Sequence, residues 1–363
     1  MCLICYLKHV VSNATSCNYL QQYFYKCDVL IKSCNYNRKR SKRNSFITMH
    51  GTKILAIEYY LPNKKENNKD LKKFNPKLDI NRIKEMTGIN NRFISGEKEN
   101  IIDISIKCSN KIFKKYSKKK IDFLILVTQT SPYRIPTTAC ILQDKLGLKK
   151  KLIAFDINLG CSGFIYALRM GSSLIETKQA NSGLIICADT YTKYISKNNT
   201  ACRPIFSDAG AAILLSKSSI NTIGPFELGT DGSGADALEL PMNTNEIVMN
   251  GAKVLTFAMN VVPDNVNSLL KKIKINKNKI DKFIFHQASK YILDNINRIL
   301  SIKKEKTFEN YSKVGNTISA SIPIALKDAN SKNELKKNNL VIIAGYGVGL
   351  SWGSALIKWN KIL

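Results

Sequence analysis

The chain has 363 residues, and 44% of them are hydrophobic, which excludes a disordered, collagenous or low-complexity chain. No apolar run approaches the ~18 residues that a membrane helix needs, so we expect a soluble protein without a membrane partner. The chain carries 56 basic and 27 acidic side chains, for a formal charge of +29. Such an excess suits an acidic partner or nucleic acid, although an AT-rich codon bias toward lysine explains it more simply. Arginine, which reads phosphate and guanine best, is scarce, and this disfavours nucleic acid.

Residues 1–48 differ from the rest, because they contain eight basic residues and one acid and include the basic run NRKRSKRN at 37–44. Their five cysteines are irregularly spaced, and the single CxxC motif has no second pair to complete a zinc site, so we expect no metal. We interpret this segment as a non-core extension, either from a start codon assigned too early, with Met49 the functional start, or from a transit peptide. The first reading predicts a cytoplasmic protein, and the second predicts a plastid one.

The rest of the chain has an α/β pattern. A strand is predicted at 53–60, and short apolar runs typical of strands buried on both faces predict six more. These are 123–127, 152–156, 183–188, 211–215, 282–285 and 340–344. Helices are predicted between them, including 161–176 and 263–272, where Pro263 suits a first helical turn. A layered α/β domain follows from this alternation.

A faint internal repeat divides this pattern. IDFL at 121–124 and IDKF at 280–283 each begin a strand, and each is followed by a glycine-containing turn, a helix and another apolar strand. The repeat predicts a duplicated half-domain. The expected halves are residues 49–219 and 220–363.

Three residues near the ends of predicted elements are candidates for catalytic chemistry. Cys161 lies where a strand gives way to a helix, and unpaired N–H groups there favour the reactive thiolate, although an isolated cysteine is usually a small core residue. His286 is the one histidine well inside the α/β body, and it closes an apolar strand. Asn316 lies in a turn, where Asn is ordinarily a helix cap. Their matching places in the repeat predict one shared cleft.

Four motifs then identify a resemblance. DINLGCSGFIYAL around Cys161, HQAS from His286, GNTISASIPIAL around Asn316 and the final GYGVGLSWGSALIKW resemble the beta-ketoacyl-acyl-carrier-protein synthase III family of the thiolase superfamily. The resemblance covers about residues 51–363. It implies an α/β thiolase fold with two similar halves in a five-layer αβαβα arrangement, normally as a homodimer. It also implies an acyltransferase that condenses an acyl thioester with malonyl-acyl carrier protein, with loss of carbon dioxide, to give a 3-oxoacyl product.

The resemblance further implies roles for individual residues. Cys161 would carry the acyl group, and the backbone N–H groups of Cys161 and Val348 would form an oxyanion hole. His286 and Asn316 would donate hydrogen bonds to the malonyl thioester oxygen and stabilise the enolate. The acyl pocket is expected to contain two apolar side chains, Ile135 and Phe206.

The sequence also departs from the housekeeping members of that family. Where they place a Trp and an Arg for the adenine of coenzyme A, this chain has Arg82 and Met86, and another of their arginines is Tyr291. We expect no separate cofactor, because the substrates are carried on the phosphopantetheine of acyl carrier protein or of coenzyme A. The departures favour acyl carrier protein as the acyl donor and leave coenzyme A as the alternative. Three cations are candidates for meeting the acidic carrier protein: Lys253, Lys290 and Arg298.

Two alternatives stay open from the sequence. A divergent relative could keep Cys161 acylation and transfer the acyl group to an O or N acceptor without decarboxylation, so carbon dioxide release separates the two enzyme readings. A basic nucleic-acid-binding protein could instead use residues 37–44. Salt-sensitive DNA binding that is lost with residues 1–48 would favour that class.

Overall fold

The computed structural model describes residues 50–360 and residue 362. The N-terminal extension at 1–48 lies outside the described residues, so the expectations for it stay expectations. The strands are β1 (Gly51–Tyr60), β2 (Lys64–Asn67), β3 (Asn91–Ile94), β4 (Phe123–Val127), β5 (Ile153–Ile157), β6 (Ser182–Asp189), β7 (Ala209–Ser218), β8 (Ile223–Thr230), β9 (Leu238–Glu239), β10 (Val248–Met249), β11 (Lys282–Phe285), β12 (Leu340–Gly347) and β13 (Ser351–Lys358). The helices are α1 (Asn68–Leu71), α2 (Ile80–Thr87), α3 (Ile101–Phe113), α4 (Thr138–Lys145), α5 (Gly163–Glu176), α6 (Gly251–Ile273), α7 (Lys290–Ile299), α8 (Tyr311–Val314) and α9 (Ser321–Ser331). Among these helices, none combines the length and apolar character required to cross a bilayer.

The strands form two large sheets. The first has the order β1-β7-β6-β4-β5, and β4 runs parallel to both β5 and β6. The second has the order β11-β12-β13-β8, with β11 and β12 parallel. Two short antiparallel pairs, β2 with β3 and β9 with β10, lie outside these sheets. All seven predicted strands are therefore present, two with the predicted bounds and the others shifted or longer by one to a few residues.

The alternation of side chains on the central strands sorts the helices into layers. On β4, Phe123 faces one way and packs with α5 and α9, whereas Leu124 faces the other way and packs with α3 and α4. On β12, Ile343 joins the α5 and α9 cluster, and Ile342 packs with α6 and α7. The layers therefore run α3/α4, first sheet, α5/α9, second sheet, α6/α7. This is the five-layer αβαβα arrangement that the resemblance implies.

Both predicted helix starts differ from the structure. The helix expected from Pro263 begins at Gly251, where the Asn250 side chain accepts the Lys253 N–H at 3.1 Å and caps it, so Pro263 lies inside α6. The helix expected from residue 161 begins at Gly163, because the Gly163 N–H donates to the carbonyl of Gly160 at 2.8 Å and closes a turn. Cys161 therefore lies in that turn, before the helix.

Two strands of the second sheet, β8 and β13, were not predicted from the sequence. β8 is an edge strand of this sheet, and β13 is an inner strand. Their sequences, IGPFELGT and SWGSALIK, are interrupted by glycine, proline or serine and contain no run of four apolar residues. Pairing with neighbouring strands supplies what the local sequence lacks.

Candidate active site

Cys161, His286 and Asn316 come together in the folded chain. Cys161 follows β5, His286 follows β11 directly, and Asn316 lies in the turn after α8. All three line one cavity of about 320 Å³. The single cleft predicted from the repeat is therefore present, although these positions are separated by up to half of the chain.

The walls of this cavity are mostly apolar. Phe206, predicted for the acyl pocket, is buried and lines it together with Ile205 and Leu238. The opening is flanked by Met86 and Tyr291, which are both partly exposed. An apolar cavity of this kind suits an acyl chain or another apolar group rather than a hydrated polar ligand.

His286 is a neutral imidazole in this environment. Its side chain is buried, and burial lowers its pKa to about 3, far below physiological pH. Nδ1 lies 2.6 Å from Oγ of Ser321, and the edge of the Tyr346 ring system, 5.4 Å away between centroids, confines the imidazole. When the Ser321 hydroxyl donates to Nδ1, the proton of the neutral ring is on Nε2. His286 can then act as an uncharged hydrogen-bond donor.

Asn316 is held so that its side-chain nitrogen remains available. Oδ1 accepts the N–H of Ile318 at 3.0 Å, which leaves Nδ2 as the free end of the amide. The Asn316 N–H donates to the carbonyl of Ile205 at 3.0 Å, and its carbonyl accepts the N–H of Ser207 at 2.9 Å. Ile318 has φ of +52°, a conformation that β-branched residues rarely adopt. The turn is therefore constrained on several sides around one donor.

The state of the Cys161 thiol differs from the sequence expectation. Cys161 is buried, and burial raises the pKa of the thiol, with the charge of Asp189 raising it further. The expectation of a favoured thiolate is therefore wrong for the resting chain. The physical reason is that Cys161 lies ahead of the helix and is buried, and desolvation by burial outweighs the helix N-terminus.

The end of β12 packs directly on the thiol-bearing residue. A Cβ added to Gly347 would lie 2.9 Å from Cβ and 3.2 Å from Sγ of Cys161, so the strand approaches this closely only because residue 347 is glycine. Val348 follows in the next turn. Within residues 50–360, the N–H groups of Cys161 and Val348 have no backbone acceptor. Both N–H groups are therefore free of backbone partners in the described part of the chain, and their predicted oxyanion-hole role stays a prediction.

Asp189 is a buried carboxyl that sequence reasoning missed. It ends β6, where one oxygen accepts the N–H of Gln129 at 2.8 Å and the other accepts the hydroxyl of Ser319 at 2.5 Å. Burial raises its pKa from 3.8 to about 7, although these hydrogen bonds oppose the shift. The available signal was a polar residue closing an apolar strand, the same signal that marked His286.

The predicted surface cations occupy different places. Lys253 and Lys290 do not line the cavity themselves, but their neighbours in sequence do. Both lysines are exposed. Lys253 pairs with Asp236 and Lys290 pairs with Asp294, each at 2.5 Å. Arg298 lies two turns further along α7, away from the cavity lining.

Ile135 is not brought to this cavity. It lies on the loop before α4 with 85% of its surface exposed, whereas the cavity lining comes from other segments. Its predicted place in the acyl pocket therefore has no support within a single chain, because the loop turns it outward.

The Asp189 carboxyl makes stability depend on pH. In the unfolded chain Asp189 ionises near pH 4, whereas in the folded chain its pKa is about 7. Between about pH 4 and pH 7 the proton therefore favours the folded state. The wild type should lose stability relative to Asp189→Asn as the pH rises through this range. The loss is at most about 1.4 kcal/mol per pH unit. Urea unfolding of both proteins across that range measures it, and the comparison cancels the other carboxylates. A constant difference between the two proteins would contradict the assigned pKa.

Comparisons with known proteins identify the family. The sequence model described as 3-oxoacyl-[acyl-carrier-protein (ACP)] synthase III matches residues 155–232, and the one described as its C terminal part matches residues 270–359. The beta-ketoacyl-[acyl-carrier-protein] synthase III of Clostridium perfringens (strain 13) is 38% identical over 326 residues, which cover 85% of this chain and 100% of the relative. The protein of that name from Clostridium novyi (strain NT) is 36% identical over 330 residues, covering 86% and 100%.

Solved structures agree with these relatives. The 3-oxoacyl-[acyl-carrier-protein] synthase III of Aquifex aeolicus VF5 superposes with a TM-score of 0.81 at 32% identity, covering 85% of this chain and 100% of that one. Xanthomonas campestris OleA, at 17% identity, shares the fold with a TM-score of 0.78. The chain belongs to the beta-ketoacyl-[acyl-carrier-protein] synthase III family of thiolase-fold acyltransferases.

Proposed function

We propose that this chain condenses an acyl thioester with a malonyl unit on acyl carrier protein, releasing carbon dioxide and forming a 3-oxoacyl-acyl carrier protein. The observation that carries the proposal is one apolar cavity in which a thiol, a neutral imidazole and a carboxamide meet. One group suits covalent acyl transfer, and the other two suit stabilisation of a developing oxyanion. Together they match the two half-reactions of the condensation.

In the first half-reaction, the sulfur of Cys161 bonds to the acyl carbon and the carrier thiolate leaves. The thiol proton ends on the departing carrier sulfur, so the exchange is neutral overall. The N–H groups of Cys161 and Val348 would bind the oxygen of the tetrahedral intermediate. Because burial raises the thiol pKa, deprotonation accompanies attack rather than preceding it.

In the second half-reaction, the malonyl carboxylate leaves as carbon dioxide, and its electron pair forms an enolate on the thioester. Nε2–H of His286 and the Nδ2 hydrogens of Asn316 would donate to the enolate oxygen. The enolate carbon then attacks the acyl carbon, and Cys161 leaves as a thiolate. The thiolate takes one proton from solvent, which is the proton that the overall condensation consumes. Both donors are uncharged and lie among apolar walls, where a hydrogen bond to an oxyanion is stronger than in water.

The two half-reactions should separate by mutation. Cys161→Ala should abolish the acyl adduct and keep malonyl decarboxylation. His286→Ala and Asn316→Ala should keep the adduct but lower carbon dioxide release about 10²–10³-fold, the usual cost of one oxyanion donor. Mass spectrometry of the protein and release of labelled carbon dioxide measure the two steps.

Cys140→Ala provides the matched control, because Cys140 is the exposed cysteine among the described residues and should alter neither step. Circular dichroism checks that each variant folds. Wild-type carbon dioxide release by Asn316→Ala would refute the role of that residue, and it would favour acyl transfer to an O or N acceptor without decarboxylation.

We also propose that acyl carrier protein, rather than coenzyme A, delivers the acyl groups. Met86 and Tyr291 line the cavity at positions where the resemblance implies coenzyme A contacts in the housekeeping relatives. The exposed Lys253 and Lys290 are each adjacent in sequence to lining residues. These lysines are exposed, so their aspartate pairs are weak and can exchange for acidic groups on a carrier. Arg298 would extend this basic surface along α7.

Charge reversal tests the docking surface. Lys253→Glu and Lys290→Glu should each raise KM for malonyl-carrier protein about three- to tenfold, because rim charges govern association. Turnover of a free pantetheine thioester should not change. Lys119→Glu, an exposed position on another face, is the control, and equal effects of all three substitutions would contradict the assignment.

We propose that the protein is a cytoplasmic homodimer, as its family resemblance implies. The exposed apolar side chains of Ile135 and Tyr133 on one loop support an interface there. Sedimentation should give twice the chain mass of 40.8 kDa, and Ile135→Lys should shift it toward the monomer. A fully active monomer at micromolar concentration would contradict the proposal.

A further inference from the structure

A buried ionic cluster lies beside the active site but does not touch the cavity. Glu66 on β2 faces Arg92 on the paired strand β3, and Arg203 approaches from the segment before Phe206. Nε and Nη2 of Arg203 donate to the two oxygens of Glu66 at 3.0 and 2.8 Å, which forms a bidentate pair. All three charged side chains are buried.

The cluster carries more positive than negative charge. Two guanidinium groups share one carboxylate, and burial lowers the pKa of Arg92 to about 10, although Glu66 opposes the shift. Nε and Nη2 of Arg92 have no hydrogen-bond partner within the described residues, and Nε is 3.7 Å from Glu66. Burying charge in this way is costly, so the cluster is a poor device for stability alone.

The cluster instead fixes the segment 203–207. Arg203 anchors the start of that segment through Glu66, and Nη1 of Arg92 donates to the carbonyl of Pro204 at 3.1 Å and to Oδ1 of Asn68 at 2.7 Å. Three charged side chains, two from the β2–β3 hairpin and one from the loop, therefore hold Arg203 and Pro204, at the start of the segment that leads to the cavity.

That segment in turn holds the Asn316 turn. The carbonyl of Ile205 accepts the Asn316 N–H, and the N–H of Ser207 donates to the Asn316 carbonyl, as described above. The space behind the turn is filled as well, because a Cβ added to Gly315 would lie 2.8 Å from Cβ of Ser207 and 3.3 Å from Cγ of Arg92. A continuous set of contacts therefore runs from the cluster to Asn316.

We propose that Glu66, Arg92 and Arg203 are positioning residues that set the place of the Asn316 carboxamide for decarboxylation. The inference rests on the proposed role of Asn316. Cys161 depends on other contacts, the turn closed at Gly163 and the packing of Gly347. Loss of the cluster should therefore slow carbon dioxide release while leaving acylation of Cys161 nearly intact.

Glu66→Gln in the full chain is the direct test, because it removes the charge and keeps the shape. Carbon dioxide release from malonyl-carrier protein should fall about tenfold or more, whereas the rate of the Cys161 acyl adduct should stay within about twofold. Arg203→Lys keeps the charge without the bidentate fork and should give an intermediate loss, and it serves as the second variant if Glu66→Gln does not fold. Glu58→Gln, which breaks the partly buried pair with Lys327 at 2.9 Å, is the matched control and should affect neither step.

The double variant Glu66→Gln/Asn316→Ala shows whether the cluster acts through Asn316. It should release carbon dioxide no more slowly than Asn316→Ala alone, since the group being positioned is gone. Additive losses, or equal slowing of acylation and decarboxylation by Glu66→Gln, would overturn the inference in favour of a purely structural role. If Asn316→Ala releases carbon dioxide slowly and Glu66→Gln releases it at the wild-type rate, this inference alone is contradicted. If Asn316→Ala releases carbon dioxide at the wild-type rate, the proposed function and the inference are both contradicted.

Discussion

The close contact between β12 and the turn that holds Cys161 is the constraint on which the site depends. A Cβ added to Gly345 would lie 2.6 Å from the carbonyl oxygen of Cys161, and one added to Gly347 would lie 2.9 Å from its Cβ. The thiol belongs to the segment between the first sheet and the central helices, and the glycines belong to the second sheet. This contact therefore joins the nucleophile to the sheet whose strand β11 precedes His286. A larger side chain at Gly345 or Gly347 would push β12 and the Cys161 turn apart.

Burial at this junction sets the charge state of every ionisable group in it. Burial raises the pKa of Cys161 and of Asp189 and lowers that of His286, so the thiol and the imidazole are both uncharged in the resting site. A neutral site accepts an apolar acyl chain without desolvating a charge. Its reactivity then comes from donors that are oriented before the substrate arrives, and no solvent has to reorganise around the oxyanion.

Much of the fold could be predicted from the sequence, and so could the meeting of Cys161, His286 and Asn316, because both depend on local sequence patterns. Buried parallel strands are continuous apolar runs, and Cys161 and His286 follow such runs directly. The features that the sequence did not predict depend on contacts between residues that are distant in the chain. The thiol pKa follows from burial that only packing creates. Glu66 and Arg203 are 137 positions apart, so their pairing leaves no local trace.

The support around Asn316 explains why a costly arrangement persists there. From one side the hydroxyl of Ser319 is tied to buried Asp189, and from the other the segment 203–207 is tied to the ionic cluster. Both anchors place charge or a titratable group in an apolar interior, which hydrophobic packing alone would not require. Apolar contacts are non-directional, however, and cannot fix the rotation of a carboxamide, whereas hydrogen bonds and bidentate ion pairs can. In the proposed reaction, an enolate that forms at one point in the cavity needs a donor aimed at that point, and we propose that the polar anchors supply this direction.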